Sequence, residues 1–214
     1  MLGSSLAKLV EIGSPQIAPL EEGAVRAAAE LLNGCPGLAE LYAAKNGLYA
    51  FESSLHVFPC CSGNAPADLV TWNAEGLWRA EYANMAAGLI FFAEDVFGDQ
   101  FGFKDARIYV FHSETGEVEF MAEDLENWAQ IILADYQFWT AYPLAHDWQA
   151  LHGPLKKGHR LSPKIPFVMG GDYEVDFLYS IDSIEAMRFR ASIAMQIRNL
   201  PDGSKVKLIV KERP

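Results

Sequence analysis

The chain has 214 residues, 50% of them hydrophobic, 21% charged and 12% aromatic, an ordinary globular composition with room for one large core. Its 17 basic and 28 acidic residues leave a formal net charge of −11. That balance repels nucleic-acid backbone and anionic lipid, excludes both as direct partners, and attracts a basic protein. No apolar run approaches the roughly 20 residues a membrane-spanning helix needs. The opening "MLGSSLAKLVEIGSPQ" lacks the basic and long apolar regions of a signal peptide, and Leu2 stands where myristoylation needs glycine. Cys35, Cys60 and Cys61 follow no framework spacing and read as reduced thiols of a cytoplasmic protein.

The first residues, with Pro15 and Pro19, read as a loose start. "LEEGAVRAAAELLNG" then predicts a helix with Val25, Ala28, Leu31 and Leu32 on one face, acidic residues at its positive end and Asn33-Gly34 as its stop. In "CPGLAELYAAKNG", Pro36 suits a first helical turn, Leu38, Leu41 and Tyr42 form a short stripe, and Asn46-Gly47 supplies a left-handed stop. "LYAFESSLHVFP" predicts a strand, "CCSGNAPAD" a loop, and "LVTWNAEGLWRAEY" a short strand followed by a helical turn carrying Trp78.

From Leu89 the period shifts toward two. "GLIFFAEDVFG", "DQFGFK", "ARIYVFHSETG" and "EVEFMA" predict successive strands of an antiparallel meander, turned at Gly98 and at Thr115-Gly116, with Gly102 as a further turn or bulge residue. Helical period returns in "EDLENWAQIILADYQFWTAYPLAHDWQALHG", capped by Asp124, lined by Leu125, Trp128, Ile132 and Tyr136, and broken at Pro143. A proline- and glycine-rich crossing leads to strand, helix and strand, with Asp182 and Glu185 as a capping pair and Pro201-Asp202-Gly203 as a turn. The sum is one α+β domain over residues 1–214, a mainly antiparallel sheet with helices packed on one side.

No catalytic or metal motif emerges. Glu94, Asp95, Asp99 and Asp105 break the alternating oxygen spacing of a calcium loop, and phenylalanines fill positions a coordinating loop keeps small. His146, His152 and His159 are split by Gly153-Pro154, and His56 near Cys60-Cys61 lacks a second ligand pair for zinc. Ser113 beside His112 sits in a turn rather than a nucleophile elbow, and Gly170-Gly171 precedes a strand where a phosphate loop would precede a helix. In "FFAEDVFGDQFGF", Phe91, Phe97, Phe101 and Phe103 are expected in a sheet core, with Glu94, Asp95 and Asp99 facing water.

The order of motifs resembles the SUKH superfamily, which includes a fungal cell-wall-synthesis regulator and many bacterial immunity proteins. Pro36, Leu41-Tyr42 and Asn46-Gly47 resemble its opening helix and stop. "FFAEDVFGDQFGF" with "IYVFHSETGEVEFMAEDLENWAQIIL" resembles its central strands, glycine hairpin and capped helix. The likeness covers roughly residues 30–140, with Leu48 where a second glycine is usual; residues 141–214 form an extension that completes the sheet or is appended to it. A GAD-like immunity module of a secretion-effector pair is a related resemblance.

The resemblance implies a non-enzymatic, cofactor-free cytoplasmic binder that neutralises a cognate toxin with a basic surface, such as a nuclease or deaminase. Expected contact residues are Glu94, Asp95, Asp99, Glu114 and Glu117 with Phe97 and Trp72 as aromatic anchors. The alternatives are a regulatory or scaffold domain of the same fold without a toxin partner, and a small hydrolase using a carboxylate pair. A pocket with two converging carboxylates of unequal pKa would point to the last.

Overall fold

The molecule is described as a computed structural model over residues 1–20, 23, 26, 28–33, 35–60, 67–201 and 203–206. In chain order the helices are α1 (Ser4–Ile12), α2 (Ala29–Leu32) and α3 (Pro36–Ala44), then α4 (Leu69–Trp72) after two short strands, β1 (Leu48–Ala50) and β2 (Leu55–Val57). The meander follows as β3 (Ile90–Asp95), β4 (Gln100–Lys104), β5 (Arg107–Phe111) and β6 (Val118–Ala122). Helices α5 (Leu125–Ala134), α6 (Tyr136–Trp139) and α7 (Tyr142–His152) lead to β7 (His159–Pro163), β8 (Leu178–Asp182) and α8 (Ser183–Ile197). Among the described residues, no helix is long and apolar enough to cross a membrane.

Strands β1 to β6 form one antiparallel sheet in sequence order, and β7 and β8 form a separate two-stranded ladder. The α+β class and the meander stand as expected. The layering is fuller than expected, because helices cover both faces. Leu6, Leu41, Phe92, Phe101, Leu125 and Trp128 pack on one side, and Phe91, Phe111, Trp72, Trp78, Tyr82 and Met187 on the other. Phe91 and Phe92, adjacent on β3, therefore enter different cores, as strand alternation requires.

Helix α1 replaces the expected loose start. Its first turn has no local side-chain cap; instead the Glu126 carboxylate on α5 accepts Ser5 N–H at 2.6 Å and Leu6 N–H at 3.1 Å. Leu6 and Leu9 are buried beneath it. "LYAFESSLHVFP" is a hairpin rather than one strand: Phe51, Glu52 and Ser53 all adopt positive φ, and Ser54 N–H and Oγ close the turn on Phe51 O. Glycine, the usual signal of such a turn, is missing there. "LVTW" is a helical turn capped by Asp68, which accepts Thr71 N–H, and not a strand. The long helix breaks at Asp135, whose carboxylate caps α6, while Pro143 sits in the first turn of α7 and starts it.

Several local signals act as read. Asp124 caps α5 and Asp182 caps α8; Gly98 and Gly116 turn with positive φ; Cys35 is a buried free thiol, and Cys60 is buried. The readings placed on Glu21, Glu22, Val25, Gly34, Cys61 and Asp202, and on a last strand reaching residue 210, lie outside the described residues. Gly47 combines φ of +73° with a backbone approach to Pro59, whose N lies 2.7 Å from where a Cβ would stand. Gly47→Ala should therefore cost roughly 1–3 kcal/mol in a urea titration, and an unchanged midpoint would refute the close approach.

Candidate functional site

A cleft of about 1000 Å³ opens where the β3–β4 hairpin, the β5–β6 hairpin, the α6–α7 corner and the 166–173 loop meet. Phe101 and Val110 reach it from the sheet, and Phe138, Trp139 and Leu144 from the corner. Its other wall is aromatic. Phe167 stacks on Tyr173 with centroids 3.9 Å apart, and Phe97 meets Phe167 edge-on at 4.9 Å. Phe138 and Tyr173 are 71% and 64% exposed.

Five expected contact residues line this cleft: Asp95, Phe97, Asp99, Glu114 and Glu117. Their roles differ from simple solvated charges. Asp95 is buried, and its Oδ1 accepts Phe97 N–H at 2.9 Å and Asp99 N–H at 2.8 Å, bracing the hairpin around Gly98. Asp99 is half-buried; Oδ1 accepts Ser113 N–H and Oγ–H, both at 2.8 Å, and Oδ2 pairs with His112 Nδ1 at 3.0 Å. Asp99 thus ties one hairpin to the other. Glu114 Oε2 accepts Val168 N–H at 2.8 Å and anchors the 166–173 loop. Glu117, with Glu119 beside it, is exposed to water.

The other two expected contacts are corrected. Trp72 is fully buried and Glu94 is 1% exposed. Covering both sheet faces leaves β3 no wet side, so a carboxylate there must be paired internally. Glu94 Oε1 accepts Arg160 Nε–H at 2.7 Å and His56 Nδ1 at 3.1 Å; Oε2 accepts Gln100 Nε2 at 3.2 Å. Gln100 Oε1 in turn accepts Trp72 Nε1–H at 2.7 Å. The water-facing expectation for Glu94 and Asp95 fails for this reason, whereas Phe91, Phe101 and Phe103 are core as expected.

Sequence reasoning passed over the cations of the site. Arg190 on α8 is 2% exposed; its Nη2 donates to Leu161 O at 3.0 Å and its Nη1 lies under Gly98, with no partner among the described residues. A Cβ at Gly98 would stand 2.8 Å from that nitrogen, so the glycine leaves the guanidinium its room. His112 is the second cation. The Asp99 bond, opposed by burial, raises it to about 9, so it is protonated at neutral pH. Ser113 donates its hydroxyl to Asp99 and not to His112, so the serine–histidine pairing of a catalytic triad is not formed between these two residues.

Asp95 and Asp99 shift apart. Burial and the neighbouring Asp99 charge push Asp95 up, while the His112 and Ser113 donors outweigh burial and hold Asp99 down. Burial also raises Glu114. In the inner network, burial would raise Glu94, but Arg160 and then His56 outweigh it and bring it to about 2; burial drives His56 down to about 4 and keeps it neutral. Among the described residues no three His, Cys, Asp or Glu side chains converge as a metal site would require.

No protein-family model and no curated protein matches the chain. Among solved structures, the crystal structure of Atu4351 from Agrobacterium tumefaciens is similar in fold, with a TM-score of 0.58 over 86% of each chain at 15% identity.

The two histidines of the network and cleft give stability opposite pH limbs. His112, raised from 6.5 to about 9, contributes fully below pH 6.5 and loses its contribution as pH climbs through 9. His56 and Glu94, lowered to about 4 and about 2 from 6.5 and 4.5, contribute above those ordinary values and lose it on acidification. His112→Asn should flatten the alkaline limb of a stability–pH profile and remove the share of the acid limb that Asp99 supplies, while keeping the share set by His56 and Glu94; an unaltered alkaline limb would contradict the Asp99 pairing.

Proposed function

We propose that this protein is a non-enzymatic, immunity-type binder that neutralises a cognate toxin with a basic surface, acting in the cytoplasm. The observation that carries the reading is the cleft: the exposed rings of Phe138 and Tyr173 beside water-facing carboxylates Glu117 and Glu119, on a chain of net charge −11. Aromatic side chains anchor protein interfaces, and acidic rims steer basic partners and raise their association rate. The SUKH resemblance supports the same reading. Its signals fall on α3 with the Gly47 turn, the β3–β4 hairpin, the Gly116 hairpin and the Asp124 cap. A regulatory or scaffold role on the same fold would use the same cleft with a different partner.

One observation favours a second reading, a small hydrolase: Asp95 and Asp99 lie in the cleft with opposite pKa shifts. Their hydrogen bonds argue for bracing. Both Asp99 oxygens and one Asp95 oxygen already accept donors from the hairpins, which gives these carboxylates a structural role in holding the turns.

The test is co-expression with the product of the neighbouring gene. The reading predicts that cells making that product survive only with this protein, and that the complex forms more slowly as salt rises. Glu117→Lys with Glu119→Lys should slow association by about tenfold without loss of folding. Absence of rescue, or a rate indifferent to salt and to the reversal, would overturn it. Turnover of a glycoside or ester that disappears in Asp95→Asn would install the hydrolase instead.

A further inference from the structure

The six-stranded sheet has two edges, and the molecule treats them differently. At β1 the outward backbone is already occupied: Ser14 N–H donates to Tyr49 O at 2.7 Å, and Ser14 Oγ accepts Tyr49 N–H at 3.0 Å. At β6 no such cover exists among the described residues. Val118, Glu119 and Phe120 are all exposed, Val118 by 43% and Phe120 by 49%. An open edge carrying large apolar side chains is a template for another strand.

Register defines what that strand must be. His112 N–H donates to Glu117 O at 2.9 Å, so antiparallel alternation turns the N–H and C=O of Val118 away from β5, toward the open side. Glu117 and Glu119, two residues apart, share the face that lines the cleft. Val118 and Phe120 share the opposite face, where Phe120 meets Tyr109 edge-on at 6.0 Å and lies under Arg107. A second copy of this chain is a poor occupant. Antiparallel self-pairing about Glu119 would set that carboxylate against itself, and pairing about Val118 would set Glu117 against Glu119. His112 meets Glu119 only at a long 3.4 Å and pairs chiefly with Asp99, leaving the edge acidic.

We propose that β6 is a strand-addition edge for an extended segment of a protein partner, in which basic side chains alternate with apolar ones. The segment extends the sheet by one strand running antiparallel to β6. Its basic residues lie on the cleft side against Glu117 and Glu119, its apolar residues on the other side against Val118 and Phe120, and its backbone exchanges hydrogen bonds with Val118. This rests on the reading of the protein as a binder of basic partners and names how the partner docks.

The experiment uses the whole chain and a short labelled peptide of alternating lysine and valine, read by fluorescence anisotropy. In the proposed register the valine N–H groups face β6 and the lysine N–H groups face outward. N-methylation of the valines should weaken binding by about tenfold or more, whereas N-methylation of the lysines should leave it nearly unchanged. A matched glutamate–valine peptide should not bind, and Val118 amide exchange should slow on binding the lysine peptide. Loss of binding in Glu119→Lys, with Val118→Thr retaining it, would give the charge side of the same answer. Equal sensitivity to both methylation patterns, or none to either, overturns the proposal, as does a concentration-dependent homodimer that occupies β6. Toxin rescue with indifferent peptides would place the partner elsewhere on the molecule and sink this docking mode alone; discriminating peptides without rescue would keep the docking mode and remove the toxin.

Discussion

The architecture hangs on one buried carboxylate. Glu94, 1% exposed, is held by Arg160 from β7, His56 from β2 and Gln100 from β4, and through Gln100 by Trp72 from α4. A charge in that position is tolerable only with its counter-charge in place, since desolvating a lone carboxylate costs several kcal/mol. The pair therefore dictates where the β7–β8 ladder sits. Arg160 also donates to Ser53 O, and the neighbouring Leu161 N–H donates to Val96 O at 2.8 Å, so the ladder is fastened to the hairpin turns at that end of the sheet.

The cleft is a consequence of that fastening. Once β7 is seated, the 166–173 loop is carried over the β3–β4 hairpin, where Phe97, Phe167 and Tyr173 make the aromatic wall and Glu114 pins the loop. Asp95 and Asp99 hold the hairpins from below. The carboxylates thus divide by depth. Glu94, Asp95 and Asp99 build the site, while Glu117 and Glu119 at its mouth are exposed to water. The proposed binding function would use that division, because a rigid frame lowers the entropy cost of docking and exposed charges guide the approach.

Much of the frame was legible in local signals. The β3–β6 meander follows from period-two apolar residues and from Gly98 and Gly116, and the Asp124 and Asp182 caps follow from residue type and position. Signals that live in tertiary partners were illegible. α1 is capped by Glu126, more than a hundred residues away, and the 51–53 turn adopts left-handed backbone without glycine, gripped by Gln149 and Arg160. The site shows the same limit. Acidic residues beside phenylalanines read as solvated because nothing in "FFAEDVFGDQFGF" announces that Arg160 and Arg190 arrive from the far end of the chain. Exposure of Glu117 followed from the hairpin alone; burial of Glu94 required knowing that both faces of the sheet are covered.

The most direct measurement of this account is a double-mutant cycle on the inner pair, Glu94→Gln, Arg160→Met and the two together, followed by urea unfolding. Each single change should cost roughly 3–5 kcal/mol by stranding the partner, and the double should cost clearly less than their sum. Single costs below about 1 kcal/mol that simply add would mean that the sheet and the β7–β8 ladder are joined by something other than this ion pair.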